Sequence, residues 1–325
     1  MTTLLAEPPG RQGPGPMQAS LVEALDLVLA RRASGPLPGE RRAAGRGAGT
    51  ELAQIRPYQF GDDVRQIDAA ATARTGLPHV RDHVPERTLT TWLLVDVSAS
   101  MAFGTADRLK SDIAEGVALV IGRLAVRRAG RVALLTCGAP EPQQMPPSGG
   151  RPALVALRKA LASGVAPDGH APNDSLATAI RRIGRLTRGP SLVVVISDFR
   201  EGQAPSADAD GLRRRRAEGQ TLSAERPAWT RALAALSQRH DVLAVEVVDP
   251  REGELPDAGH LTLVDPETGQ RFEADTSSAE LRRRFQAAEL GRRDELKSHL
   301  RRARARHVEL TTDADWLRGL GRSLR

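Results

Sequence analysis

The 325-residue sequence contains one cysteine, Cys137. A single thiol can neither close an internal disulfide nor build a cysteine-rich metal site. Lysine is almost as scarce: only Lys110, Lys159 and Lys297 stand among the 47 basic residues, so the positive charge is nearly all arginine. A chain loaded with Arg, Ala, Gly and Pro is the simple product of GC-rich coding and does not by itself mark a nucleic-acid footprint. Five Phe, three Trp and one Tyr leave few faces on which bases could stack, which argues further against that partner. The strongest apolar stretches, Thr91 to Val97 and Ser191 to Ile196, fall far short of the roughly 20 residues that span a bilayer. Met1 to Pro16 is rich in Pro and Gly and lacks the apolar core of a secretory signal. The expectation is a cytoplasmic protein without a membrane span.

What is present suits a folded protein. The 47 basic and 40 acidic residues give a formal charge of +7, and 40% of residues are hydrophobic with 27% charged, the proportions of a globular chain. Its length allows one large domain or two ordinary ones.

Residues 1–48 read as a loose start, a helix over Met17 to Arg32 with Leu21, Ala24, Leu25 and Val28 on one face, and a Gly/Pro/Arg linker. Residues 49–88 read as a small β-rich unit broken at Gly61-Asp62-Asp63, Thr75-Gly76 and Pro78. From 89 to 325, apolar runs at Thr90 to Val95, Val132 to Cys137, Leu192 to Ser197, Val242 to Val248 and His307 to Leu310 behave as strands. Helical patterns at Ala106 to Arg128, Pro152 to Ala162, Ser175 to Thr187, Ala228 to Arg239 and Ser277 to Arg304 separate them. Near-continuous apolar strands alternating with helices predict an α/β fold with a doubly wound, mostly parallel sheet covered on both faces. A hairpin, Leu261 to Val264 with Arg271 to Ala274 around Pro266-Glu267-Thr268-Gly269, is appended. Arg200 to Arg226 reads as a polar surface insertion.

In such a sheet, ligands bind beyond the carboxyl ends of the strands, where the winding reverses. The first main strand ends in Asp96-Val97-Ser98-Ala99-Ser100 and a later one in Ser197-Asp198. With an edge strand near Gln143 to Pro147 and the order 3-2-1-4-5, these two strands are neighbours across that point. Two carboxylates held close repel unless a cation lies between them, and an all-oxygen set selects a hard ion. Mg2+ favours about six oxygens and keeps waters, which suits two hydroxyls with water-bridged aspartates. An incomplete shell leaves one position for a carboxylate from outside. Asp and Ser after a strand also serve as ordinary helix caps, so the second strand end at Asp198 decides for the cation.

These residues resemble the von Willebrand factor A fold and its metal-ion-dependent adhesion site: Asp96, Ser98 and Ser100 match its first loop and Asp198 the aspartate of the later loop. Aligning Leu176 with the leucine of that pattern puts Asp174 where a threonine is usual. The stretch Arg56-Pro57-Tyr58-Gln59-Phe60-Gly61-Asp62-Asp63-Val64-Arg65-Gln66-Ile67-Asp68, with Thr72-Ala73-Arg74-Thr75-Gly76, resembles the signature of the domain of unknown function 58 family, which usually has Trp at the position of Ala69. Val248-Asp249-Pro250-Arg251-Glu252 and Leu263-Val264-Asp265-Pro266 are similar to that family too. The resemblance implies a von Willebrand A-like domain with Mg2+, or another hard divalent cation such as Mn2+ or Ca2+, at Asp96, Ser98, Ser100, Asp174 and Asp198. It also implies a partner of MoxR-type AAA+ ATPases, acting without catalysis of its own in assembly or maturation of client proteins that offer an acidic ligand.

Other chemistry is weaker. Gly104 to Ser111 places Lys110-Ser111 at phosphate-loop distance from a glycine, but Leu109 stands where a second glycine is needed. Ser98 lacks the flanking glycines of a nucleophile elbow. His79 and His83 lie four apart in a strand without a third ligand. Arg282 to Arg284 and Arg301 to Arg306 read as the wet face of a long helix whose Leu281, Phe285, Ala288, Leu296 and Leu300 form a buried stripe. The alternative function is a metal-dependent phosphohydrolase or nuclease using the same carboxylates, for which Lys110 and His170 are the available clamp and base.

Overall fold

The computed structural model describes residues 51–84, 89–105, 107–167, 172, 174–201, 226–267 and 269–324. The expected helix at 17–32, the linker after it, most of the 200–226 insertion, and His170 and Asn173 lie outside the described residues.

Residues 51–84 carry a two-stranded sheet separate from the central one. Strands β1 (Glu51–Pro57) and β2 (His79–Val84) pair antiparallel. Between them lie a 3-10 turn at Val64–Gln66 and helix α1 (Ala69–Thr75), which the β-rich reading did not place. The helix has local causes: Asp68 accepts the Ala71 N–H at its start, and Gly76 closes it at φ +72°, a conformation glycine adopts without steric penalty. The Arg56 guanidinium grips both oxygens of Asp62 at 2.7 Å and holds that carboxyl down to about 2. Arg81 reaches Asp68 at 2.6 Å. Much of the Arg56 to Asp68 signature therefore shapes this unit. Both His79 and His83 fall in β2; the His79 ring pairs with Thr75 Oγ1 and the Leu77 carbonyl.

The remaining chain builds a six-stranded sheet from β3 (Thr90–Asp96), β4 (Arg131–Cys137), β5 (Gln144–Ser148), β6 (Leu192–Ser197), β7 (Asp241–Val248) and β10 (Arg306–Thr311). Their order is β10-β7-β6-β3-β4-β5, parallel except for the antiparallel edge pair β4–β5. The winding reverses between β3 and β6, as the strand order required. A separate two-stranded ribbon, β8 (His260–Val264) with β9 (Arg271–Asp275), is the expected hairpin.

Alternation along the strands feeds two apolar layers. Leu93 and Val95 face helices α2 (Lys110–Arg127), α3 (Gly150–Leu161) and α7 (Trp316–Ser323), in a layer with Ile113, Leu157 and Trp316. Trp92 and Leu94 face α4 (Ser175–Leu186), α5 (Ala228–Ser237) and α6 (Ala279–Arg302), in a layer with Ile180, Trp229 and Leu296. Burial of both strand faces is why these runs lack polar alternation.

Helix α6 corrects one expectation. Leu296 and Leu300 are buried, but Ala288 is exposed, and the inward position is taken by Glu289. Arg200 and Arg292 meet that carboxylate at 2.9 and 2.8 Å, so charge pairing replaces apolar packing midway along the helix. Arg304 lies beyond the helix at φ +56°, and Arg306 begins β10.

Candidate functional site

Strand β3 delivers Asp96 to the carboxyl edge of the sheet, and a 3-10 turn over Ala99–Ala102 folds the following residues back over it. Asp96 is 7% exposed, Ser98 5% and Ser100 6%. Asp96 Oδ1 accepts the Ser98 N–H at 3.0 Å, and Oδ2 accepts the Ser197 hydroxyl, from neighbouring β6, at 2.6 Å. The Ser98 and Ser100 hydroxyl oxygens are 3.1 Å apart. Gly138, just past β4, makes this fold-back fit. At φ +85°, an added Cβ there would lie 2.5 Å from Ser98 N and 2.7 Å from Asp96 Oδ1, closer than atoms can pack.

Asp198 sits one residue past β6 but does not face Asp96 as a free ligand. Its Oδ2 accepts from Lys110 Nζ at 2.7 Å and its Oδ1 from the Arg200 N–H at 3.1 Å. Lys110 opens α2, is fully buried, and also holds Glu252 at 2.6 Å. Burial would lower the ammonium's pKa, yet the charges of Asp198 and Glu252 outweigh it and keep the cation in place. Burial likewise opposes the Asp198 charge, but Lys110 and Arg200 bring that carboxyl down to about 2. The lysine that resembled a phosphate-loop element is thus an internal counter-ion. After Asp198 the chain turns through Phe199 at φ +54°, with its buried ring 5.2 Å from that of Trp229.

Two further carboxylates approach from elements whose role the sequence did not reveal. Glu267, at the tip of the β8–β9 hairpin, accepts the Ser100 N–H through Oε1 at 3.2 Å. Glu201 Oε2 accepts the Leu176 N–H at 2.6 Å, covering the start of α4. Asp174, at the N-cap of that helix with φ +55°, is exposed and makes no cap bond through its side chain. Its charge reaches Glu201, but it does not join Asp96, Ser98 and Ser100 as an observed contact. Asp249, fully buried, ties the neighbouring loop down: it accepts from Thr105 N and Oγ1 and from Thr312 Oγ1 at 2.6–2.8 Å.

Electrostatics separate two halves of the site. Lys110 and Arg200 compensate Asp198 and Glu252. Burial together with the Asp198 charge pushes Asp96 up to about 6. Burial pushes Glu267 up to about 7, with the Asp96 charge adding to it. Burial also lifts Glu201 to about 7 against its backbone bond, and Asp96 again contributes. Surplus negative charge beside two hydroxyls is the chemistry a hard cation neutralises. No three His, Cys, Asp or Glu side chains among the described residues converge as a metal cluster. The residues that could hold such an ion are the Ser98 and Ser100 hydroxyls with the Asp96 carboxylate beside them.

Residues 54–295 match the family model described as "Protein of unknown function DUF58". The chain belongs to this family. Uncharacterized protein Rv1480 of Mycobacterium tuberculosis is 35% identical over 303 residues, covering 93% of this chain and 87% of that protein. Among solved structures, conserved hypothetical protein BatB from Bacteroides thetaiotaomicron aligns with TM-score 0.40 and 11% identity, over 72% of this chain and 96% of that one. The SpRpn10 VWA domain aligns with TM-score 0.30 and 11% identity, over 49% of this chain and 75% of its own. For this DUF58 chain, the family signature and the strand-end oxygens lie in separate parts: the signature builds the N-terminal unit, and the oxygens crown the sheet.

Proposed function

We propose that this protein is a non-enzymatic, cytoplasmic interaction module that holds a hard divalent cation, Mg2+ first, at Asp96, Ser98 and Ser100. Asp198 contributes field more than a free oxygen, and Asp174, exposed at the start of α4, is the weaker candidate. The partner class is a MoxR-type AAA+ ATPase, together with a client protein offering an acidic group. The observation that carries the reading is the juxtaposition of two buried serine hydroxyls, 3.1 Å apart, with Asp96, whose charge is uncompensated while that of Asp198 is neutralised from within. A hard cation there supplies charge compensation and a coordination position that an outside carboxylate can occupy. Around it, this chain's residues do the positioning: Ser197 and the Ser98 N–H fix Asp96, Gly138 gives the loop room, and Asp249 restrains the segment beyond it.

The phosphohydrolase alternative loses its cationic clamp, since Lys110 is fully buried between Asp198 and Glu252 and does not face the serines' oxygens as a free ammonium.

Cation binding to the folded form alone raises stability by mass action, about 2.7 kcal/mol at a hundredfold excess over Kd. Titrating Mg2+ into chelator-treated protein while recording thermal melts should therefore raise the Tm saturably by several degrees. A Tm indifferent to Mg2+, Mn2+ and Ca2+ would reduce the protein to a scaffold without a cation.

A further inference from the structure

The β8–β9 hairpin is the element whose position the proposed function does not explain. It is a two-stranded ribbon outside the central sheet, and its strands alternate exposed and half-buried residues without one fully buried side chain. Described residues of its tip are nevertheless tied together by local bonds. Asp265 N–H reaches the Gln270 carbonyl at 2.9 Å, Gly269 N–H reaches the Asp265 carbonyl at 2.8 Å, and Asp265 Oδ1 accepts the Glu267 N–H at 3.0 Å. That turn aims the Glu267 carboxylate, 167 residues away in sequence, at the Ser100 N–H in the mouth of the site. The charges it feels there are those of Asp96 and Asp198, both of its own sign. A surface glutamate would ordinarily swing into water rather than settle in such surroundings. The bonds it takes from Ser100, through the N–H at 3.2 Å and through the hydroxyl, do not offset that, whereas a cation at the serines would.

We propose that Glu267 is the chain's own acidic ligand for this site, filling from within the coordination position that an acid of a partner protein would take. Engagement of a partner then requires the hairpin tip to withdraw, and the ribbon's few buried contacts make it the element able to do so. The anchor lies at its base, where Thr276 bonds the Gly259 carbonyl and Arg282 bonds the Thr276 carbonyl and pairs with Asp257 at 3.0 Å. The strands can thus swing about a fixed root. This inference rests on the cation reading above and adds to it a resident competitor.

The test uses the full chain and two probes, Mn2+ alone and Mn2+ with 13C-acetate. Mn2+ affinity, read by electron paramagnetic resonance, should weaken at least about tenfold in Glu267→Gln, because a carboxylate ligand is lost. Gln retains an acceptor for the Ser100 N–H, so the tip stays in place, and an unchanged melt of the chelated protein verifies the fold. With Mn2+ saturating, acetate should be broadened several-fold more by Glu267→Ala than by wild type, because the position is open. Equal Mn2+ affinity and equal acetate broadening in wild type and variants would overturn the role of Glu267 while leaving the cation site standing. Failure of wild type and variants alike to bind Mn2+ would instead remove the cation reading on which the inference rests.

Discussion

Lys110→Ala should destabilise the fold by about 3–5 kcal/mol, the usual cost of stranding a buried partner charge. The lysine is fully buried, and both its ion pairs are short, 2.7 Å to Asp198 and 2.6 Å to Glu252. After its removal Asp198 keeps the Arg200 N–H and the Arg200 charge, and Glu252 keeps Arg200 Nε at 3.6 Å and the Asp249 N–H at 3.2 Å, with no ammonium between the two carboxylates. Lys110→Met, which restores the volume, should recover only the packing share of the loss. Urea unfolding of the three proteins measures this; a change below about 1 kcal/mol would mean that water or a rearranged Arg200 replaces the ammonium. The pairs also connect the strand-end turn to the Pro250–Gly253 turn, and through Arg200 to Glu289 on α6. Loss of Lys110 should therefore loosen α6 as well as the site.

Asp96→Asn carries the second large effect, and its sign depends on the cation. Without divalent ion, folding pushes the Asp96 carboxyl from its ordinary 3.8 up to about 6, through burial and the Asp198 charge. A carboxyl that resists ionisation in the fold costs stability as pH rises from about 4 to about 6, and the full cost persists above that. A rise of that size corresponds to roughly 2–3 kcal/mol. Asparagine removes the charge, keeps an acceptor for the Ser98 N–H and offers a donor toward Ser197. Chelated Asp96→Asn protein should thus melt higher than wild type at pH 7.5, by an amount of order 2 kcal/mol, and level with it near pH 4. Adding Mg2+ should reverse the order, because wild type gains stability and the variant does not. Melting curves across pH 4–8, with and without Mg2+, check both halves. A variant less stable than chelated wild type at pH 7.5 would show that the Asp96 charge is already satisfied within the chain.

Much of this architecture is readable from the chain alone because burial writes itself into composition. Strands covered on both faces, such as Leu192–Ser197, appear as unbroken apolar runs, and their alternation with helices dictates a parallel sheet. The switch point then follows from strand order, which places Asp96, Ser98 and Ser100 without further information. Lys110 was legible as a phosphate-loop-like lysine and an available clamp but not as the counter-ion of Asp198, because that pairing spans 88 residues and closes only when β3 and β6 lie side by side. Glu267 belongs to a turn signal that any hairpin would show, and nothing local tells where the tip points. Helix α1 was hidden by turn residues at both its ends, though those same residues, Asp68 and Gly76, are its caps. Glu289 in place of Ala288 on the inner face of α6 reflects a polar partner, Arg200, that arrives from another element.

The central claim, that a divalent cation mediates protein engagement, is tested most directly by capture of a purified cognate MoxR-type AAA+ ATPase on the immobilised full chain, in Mg2+ and in EDTA. Retention in Mg2+, release on chelation, and no retention by Asp96→Ala under either condition are the expected results. Equal capture of the ATPase by wild type in Mg2+ and in EDTA would contradict the account.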